Sequence, residues 1–224
     1  MKKLFLILTI LALFTPAWAD TISTDKSNFA EISTVIDDAA YDIRYYSRNN
    51  FTGKKINGYK APRAYLTKEA LTALAKAATN LRKQGYRLLI WDAYRPQKAV
   101  DNFVAWINDP NDPGDKSFFP KLNKTDLIAK HYIATKSGHT RGSTVDLTII
   151  KRNGSSVDMG GPFDFFSEVS HTKYDKLTNK QKRNRQILRN AMLNAGFKGI
   201  YSEWWHFTLK NEPYKDTYFD FDVE

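Results

Sequence analysis

The stretch that decides the fold is TVDLTII, residues 144–150. Its apolar residues Val145, Leu147 and Ile149 alternate with Asp146 and Thr148, and most of the stretch is β-branched. Alternation with a period of two is typical of a β-strand, because successive side chains point to opposite faces. We therefore expect a strand that presents Asp146 on the face opposite its apolar side chains.

The residues before this strand predict two helices and another strand. Residues 65–85 have apolar side chains at a helical period, with Thr67 as N-cap and Gly85 as terminator. Residues 86–91 are rich in β-forming side chains and predict a buried strand. Pro96 suits the first turn of a second helix, which runs to about residue 107. The prolines and glycine of residues 108–124 predict a loop.

The residues after that loop complete the expected fold. A short helix is predicted near residues 126–131, and a long basic helix over residues 178–195. Thr178 and Gln181 form a capping box for the long helix, and Gly196 ends it. Residues 203–209 predict the last strand. The fold class is α+β: a single domain with a mainly antiparallel sheet and helices packed around it.

The first nineteen residues are expected to be a secretory signal peptide, with residues 20–224 as the mature domain. Lys2 and Lys3 precede an apolar run, and Ala17-Trp18-Ala19 offers small residues for cleavage before Asp20. The run is short of the ~18 residues that a membrane-spanning helix needs. We therefore expect an exported protein, periplasmic or secreted, without stable membrane insertion after cleavage.

Composition limits the chemistry that the chain can perform. The 224 residues are 42% hydrophobic and 26% charged, which is typical of a soluble globular domain. The absence of cysteine excludes disulfides, thiolate metal sites and cysteine nucleophiles, so any metal must be held by imidazole and carboxylate. The net charge of +10 favours anionic envelope polymers as partners, and export argues against nucleic acid.

Two short segments contain residues suited to a catalytic metal. Residues 137–146 include His139 and Asp146, and residues 203–206 include Glu203 and His206. Two imidazoles and a carboxylate can hold a zinc ion with one position open for water, which leaves Glu203 as general base. The residues alone also permit a simpler interpretation, with His139 as a loop residue and His206 as a core histidine. No His-Glu-x-x-His sequence occurs.

The spacing of the second segment makes a geometric demand. Glu203 and His206 are three residues apart, so on a regular strand they would point to opposite faces. Glu203 must therefore lie in the turn ahead of the strand, or a bulge must redirect it.

These motifs resemble those of a known enzyme family. The pattern Ser-x-His-x-x-Gly-x-x-x-Asp, followed about sixty residues later by Glu-x-Trp-His, is similar to that of the zinc D-alanyl-D-alanine metallopeptidases. That family contains dipeptidases, D,D-carboxypeptidases and peptidoglycan endopeptidases. The chain departs from the pattern at Thr144, where the family commonly has alanine. Further segments resemble the vancomycin-resistance-type dipeptidase branch, and they are residues 41–45, 50–53, 91–96, 108–113 and 159–164.

The resemblance assigns roles to the main site residues. It implies one zinc ion per chain, held by His139, Asp146 and His206, with Glu203 as general base. Arg95 would stabilise the developing oxyanion.

The resemblance also implies how the substrate is recognised. Ser137 and Asp164 would contact the free ammonium of the dipeptide. The alternative for Arg95 is a structural salt bridge with Asp92, and the alternative for Asp164 is a turn residue after Pro162.

The activity implied by the resemblance is zinc-dependent hydrolysis of D-alanyl-D-alanine, in a site that the loop of residues 108–124 is expected to narrow. A D,D-carboxypeptidase or endopeptidase acting on peptidoglycan stems in an open groove is a second hypothesis. A metal-bearing but inactive binding module is a third, although it would not need Glu203 or Arg95. Export implies dipeptide scavenging or wall turnover, because the cytoplasmic pool of the dipeptide would be out of reach.

Overall fold

The computed structural model describes residues 21–130 and 132–224. The predicted signal peptide therefore lies outside the described residues. The strands are β1 (Thr21–Ser23), β2 (Phe29–Glu31), β3 (Ala40–Tyr41), β4 (Tyr65–Thr67), β5 (Tyr86–Asp92), β6 (Thr144–Lys151), β7 (Phe197–Gly199), β8 (His206–Leu209) and β9 (Thr217–Phe219). The helices are α1 (Lys68–Lys83), α2 (Gln97–Asn108), α3 (Lys124–Ala129) and α4 (Asn179–Asn194).

A five-stranded sheet in the order β3-β5-β6-β8-β7 forms the centre of the protein. The pair β3 and β5 is parallel, and every other pair in this sheet is antiparallel. Helix α1 packs against β5 and against α4, and α4 also contacts β7. This arrangement confirms the predicted α+β fold with a mainly antiparallel sheet.

Strand register places three polar residues in one row across the sheet. Asp146 of β6 lies opposite His206 of β8 on one side and opposite Asp92 of β5 on the other. A register shift between Ile90 and Asp92 produces the second pairing, as a β-bulge does. The row lies at the ends of the strands, where incoming loops can add further side chains.

The helix caps explain why α1 and α4 begin and end where they do. The Thr67 hydroxyl accepts a hydrogen bond from the Ala70 amide, and Gly85 follows α1 with φ +87°. Thr178 and Gln181 form the predicted capping box of α4, and Gly196 follows that helix with φ +99°. Because only glycine adopts such φ angles at little cost, both predicted helix ends are confirmed.

Three predicted boundaries differ from the structure. Pro96 is the N-cap of α2 and lies just outside its first turn. Helix α3 begins at Lys124 because Asn123 and Asp126 form a capping box two residues earlier than expected. Strand β8 begins at His206, because the Trp204 amide donates to the Ser170 carbonyl and so leaves the ladder.

None of the helices in residues 21–130 and 132–224 combines the length and the hydropathy of a membrane-spanning segment.

Candidate metal centre and active site

His139, Asp146 and His206 converge on one point, with one ligand atom from each lying within 4.8 Å of the others. His139 Nε2 lies 3.2 Å from Asp146 Oδ2, and His206 Nδ1 lies 3.1 Å from Asp146 Oδ1. The two imidazole nitrogens are 3.3 Å apart. Three ligand atoms this close, from two separate segments of the chain, form a site of the size that a single metal ion requires.

Each of the three side chains is delivered by a different element. Asp146 and His206 face each other across β6 and β8, while His139 belongs to a 3-10 turn, Gly138–Arg141. Gly142 ends that turn with φ +79°, and a Cβ there would lie 2.2 Å from the Phe29 ring. The turn into β6 therefore requires glycine at this position for two independent reasons.

Hydrogen bonding orients the two imidazole rings. His139 Nδ1 lies 2.7 Å from the Ala93 carbonyl oxygen, which can only accept, so Nδ1 carries a proton and Nε2 is the nitrogen directed to the site. His206 presents Nδ1 to the site, and its Nε2 lies 3.5 Å from the Thr208 hydroxyl. Both rings thus direct one nitrogen to the same point, and each of these nitrogens would bind a metal ion in its unprotonated form.

The state of Asp146 fits a cation held at this point. Burial opposes its ionisation, but the neighbouring His139 and His206 outweigh burial and hold the pKa of Asp146 well below its ordinary value. Its Oδ1 atom is buried and makes no hydrogen bond, despite the nearby His206 nitrogen. A buried unpaired acceptor costs roughly 1–3 kcal/mol, and a metal ion would remove that cost. Burial also lowers the pKa of His206, which favours the neutral ligand form.

Glu203 lies in the turn ahead of β8, which is one of the two arrangements that its spacing from His206 allowed. Its carboxylate Oε2 is 3.5 Å from His206 Nδ1. Burial, together with the charges of Asp146 and Asp164, raises the pKa of Glu203 well above its ordinary value, and Arg95 acts in the opposite direction. A carboxyl group in such surroundings is suited to accept and return a proton.

Arg95 both forms the salt bridge with Asp92 and faces the site. Its Nε atom donates to Asp92 Oδ2 at 2.9 Å, and its Nη2 atom lies 3.7 Å from Asp146 Oδ2. Asp92 also accepts a hydrogen bond of 2.6 Å from the Tyr59 hydroxyl. The structural and functional interpretations of Arg95 are therefore compatible, since the salt bridge holds the guanidinium against the metal centre.

The structure also brings Ser137 and Asp164 to the site. The Ser137 hydroxyl accepts a hydrogen bond from the His139 amide. Asp164 has φ +55° and accepts a 2.8 Å hydrogen bond from the Tyr45 hydroxyl. Burial, followed by the charge of Asp146, raises the pKa of Asp164 to about 7. Tyr45 was not among the predicted site residues, although it lies in a segment, residues 41–45, that carried the family resemblance.

These residues line a cavity of about 130 Å³. That is below the ~300 Å³ at which sites for drug-sized ligands begin, so the cavity suits a small substrate. Aromatic rings surround its polar floor, and the cavity-lining aromatic residues are Tyr45, Phe51, Phe103, Tyr132 and Phe166.

The expectation that residues 108–124 narrow the site is wrong. None of them lines the cavity, and residues 132–138 contribute one wall instead. The loop lies behind the site, where the Asp115 amide donates to the Phe51 carbonyl and the Phe118 carbonyl accepts from the Phe166 amide. It therefore supports two aromatic rings of the cavity without touching the cavity itself.

Comparison with known proteins shows similarity to D-alanyl-D-alanine dipeptidases. A family model described as D-ala-D-ala dipeptidase matches residues 25–224. The chain is 40% identical to a D-alanyl-D-alanine dipeptidase of Enterococcus faecium over 198 residues, which cover 88% of this chain and 98% of that protein. It is 34% identical to a D-alanyl-D-alanine dipeptidase of Escherichia coli, over 83% of this chain and 86% of that protein.

A solved structure of a vancomycin resistance D,D-pentapeptidase in complex with Zn(II) is 12% identical, with a TM-score of 0.40, and the match covers 69% of this chain and 77% of that one. The family model spans nearly the whole described chain, and the relatives match over most of their own length. The chain belongs to the D-ala-D-ala dipeptidase family of zinc metallopeptidases.

Proposed function

We propose that the protein hydrolyses D-alanyl-D-alanine to two molecules of D-alanine. The observation that carries this proposal is the convergence of His139, Asp146 and His206 beside Glu203 and Arg95 on one small cavity. The relatives named for this activity match over most of the chain.

His139, Asp146 and His206 would hold the zinc ion, which when bound polarises the scissile carbonyl and lowers the pKa of a water molecule. Glu203 would accept the proton of the attacking water and return it to the leaving amine. Its position beside His206 supports this role, because a general base must lie within reach of the water it activates.

Arg95 would stabilise the negative charge that develops on the carbonyl oxygen. A guanidinium already held by Asp92 needs little reorganisation as charge develops, and such preorganised donors are worth roughly 3 kcal/mol of barrier.

Asp164 would bind the substrate ammonium, with Ser137 beside it. A buried carboxylate in a small cavity favours a free amino terminus over an acylated one, because an acylated nitrogen leaves the carboxylate without a charged partner. This discrimination separates a dipeptidase from an enzyme that acts on longer stem peptides.

The decisive experiment compares three substrates, with and without a chelator: D-Ala-D-Ala, L-Ala-L-Ala and a pentapeptide that ends in D-Ala-D-Ala. Chelator-sensitive cleavage of the free D,D-dipeptide alone is the expected result. Release of D-alanine from the pentapeptide at a comparable rate would indicate that peptidoglycan stem peptides are the substrate. Cleavage of none of the three would contradict the enzymatic proposal.

We further propose that the mature protein acts outside the cytoplasm, in dipeptide scavenging or wall turnover. The signal-peptide pattern of residues 1–19 supports export. Fractionation of cells that express the full chain tests this, and recovery of the mature protein in the cytoplasm would contradict it.

A further inference from the structure

The segment between β6 and α4, residues 152–178, carries part of the cavity wall. Asp164 and Phe166 both belong to it and both line the cavity. Apart from the short 3-10 turn Glu168–Ser170, no helix or strand is found in it. An irregular segment of this length needs other donors for its buried carbonyl groups, because no regular ladder supplies them.

Arg185 of α4 supplies several of these donors. Its Nε atom donates to the Met159 carbonyl at 2.6 Å, its Nη2 atom to the Val169 carbonyl at 2.8 Å, and its Nη1 atom to the His171 carbonyl at 3.1 Å. One guanidinium therefore joins the two ends of the loop, residues 159–171, that holds Asp164.

The surroundings of Arg185 are unusual for a charged side chain. The residue is only 8% exposed, and burial lowers the pKa of its guanidinium to about 10. Among the described residues, no carboxylate forms an ion pair with it, and its hydrogen-bond acceptors are the three carbonyls. A planar fork of five N–H groups can serve three separate carbonyls, whereas the compact ammonium of lysine cannot span them. The position thus requires arginine for its geometry.

The same guanidinium also contacts the turn that carries Glu203. It lies over the ring of Trp204, 5.3 Å from its centroid. The Trp204 amide donates to the Ser170 carbonyl, and the Thr172 amide donates to the Tyr201 carbonyl. The Glu203 turn is therefore attached to the end of the loop that Arg185 holds.

We infer that Arg185 is a positioning residue for the dipeptidase reaction, because it sets the placement of Asp164 relative to Glu203 across the cavity. The inference rests on the proposed function in one respect, the binding of the substrate ammonium by Asp164. The proposed zinc ligands lie on β6, on β8 and in the turn before β6, so the loss of Arg185 leaves zinc binding in place. The loss of Arg185 instead removes the preference for substrates that have a free amino terminus.

The kinetic test uses Arg185→Gln and Arg185→Lys, with Arg183→Gln as a matched control on the exposed side of the same helix. The quantity measured is the ratio of kcat/KM for D-Ala-D-Ala to that for its N-acetyl derivative, together with zinc content. We expect this ratio to fall about tenfold or more in Arg185→Gln, equivalent to ~1.4 kcal/mol, and by less in Arg185→Lys. Zinc content and the ratio in Arg183→Gln should match the wild type. An unchanged ratio in an Arg185 variant with a lowered Tm would show a purely structural role and overturn the inference.

A second measurement does not depend on activity. Amide hydrogen exchange in Arg185→Gln should accelerate together in residues 159–172 and 200–204, while β5 and β6 keep their protection. If Arg185→Gln does not fold, Arg185→Lys serves for both measurements. Unchanged exchange in the two segments would overturn the inference. If the wild-type protein lacks dipeptidase activity but Arg185→Gln still accelerates exchange in both segments, only the proposed function is contradicted.

Discussion

At the scale of single residues, the site separates the carboxyl groups of Asp146, Asp164 and Glu203 by their surroundings. Two histidines keep Asp146 ionised, whereas burial and neighbouring charge raise the pKa values of Asp164 and Glu203. Groups whose pKa values are driven apart in one cavity can take different chemical roles. A cation held beside Asp146 would lower the raised pKa of Glu203, since a nearby positive charge favours the ionised carboxylate.

Glu203→Gln tests the role of the general base. The amide keeps the size of the side chain but cannot accept the proton of water, so kcat should fall by ~10²–10⁴-fold. Zinc content should remain at one per chain, because Glu203 is not among the proposed ligands. Glu168→Gln, at an exposed site outside the cavity, provides the control. Retention of near-normal kcat in Glu203→Gln would require another base.

Arg95→Lys tests whether the guanidinium acts through its fixed geometry. Lysine keeps the charge but loses the planar fork that bonds Asp92 and faces Asp146, so we expect kcat/KM to fall by ~10²-fold. Steady-state kinetics and circular dichroism measure activity and folding separately. A folded variant with unchanged kcat/KM would leave only the structural salt bridge as the role of Arg95.

At the scale of elements, Thr67 joins α1 to the turn that leads into β6. Its hydroxyl accepts from the Ala70 amide at the helix N-terminus and lies 2.8 Å from the Ser143 hydroxyl, and its amide donates to the Gly142 carbonyl. One residue therefore positions the helix start against the segment that follows His139.

Thr67→Ala should lower the free energy of unfolding by ~1 kcal/mol or more. The substitution removes the cap and leaves the buried Ser143 hydroxyl without this partner. Urea denaturation measures the change. Thr72→Ala is the control, because the Thr72 hydroxyl is exposed and bonds to the Lys68 carbonyl of its own helix. Equal stability of the two variants would show that the cap contributes little.

At the scale of the whole molecule, the proposed metal site depends on the folded state. Its three residues come from the turn before β6, from β6 and from β8, so the unfolded chain does not hold them together. Metal binding and folding are therefore thermodynamically linked.

Removal of zinc should lower the melting temperature. At a metal concentration ~100 times Kd, binding adds ~2.7 kcal/mol to stability, equivalent to about 5–10 °C for a domain of this size. Differential scanning calorimetry with and without a chelator measures the shift. His206→Ala should melt at the same temperature under both conditions, and a chelator-induced shift in that variant would place the metal elsewhere.

The sequence by itself determined the α+β fold class, the four helices, the strands β5, β6 and β8, and the set of candidate site residues, but not the short strands β1 to β4, β7 and β9. Helix caps such as Thr67 and Thr178, and the alternation within residues 144–150, act over a few residues, so they can be read without knowledge of the rest of the chain. The roles of His139, Asp146, His206, Glu203 and Arg95 stay predictions, although the structure brings these side chains together.

Only the tertiary structure decided which distant residues meet. The row of Asp92, Asp146 and His206 depends on strand register, and the bond from Tyr45 to Asp164 joins residues more than a hundred positions apart. The bonds from Arg185 to the loop around Asp164, and the absence of residues 108–124 from the cavity wall, likewise follow from packing. Local propensity carries no information about such contacts, because their geometry is set by how the whole sheet and its loops pack.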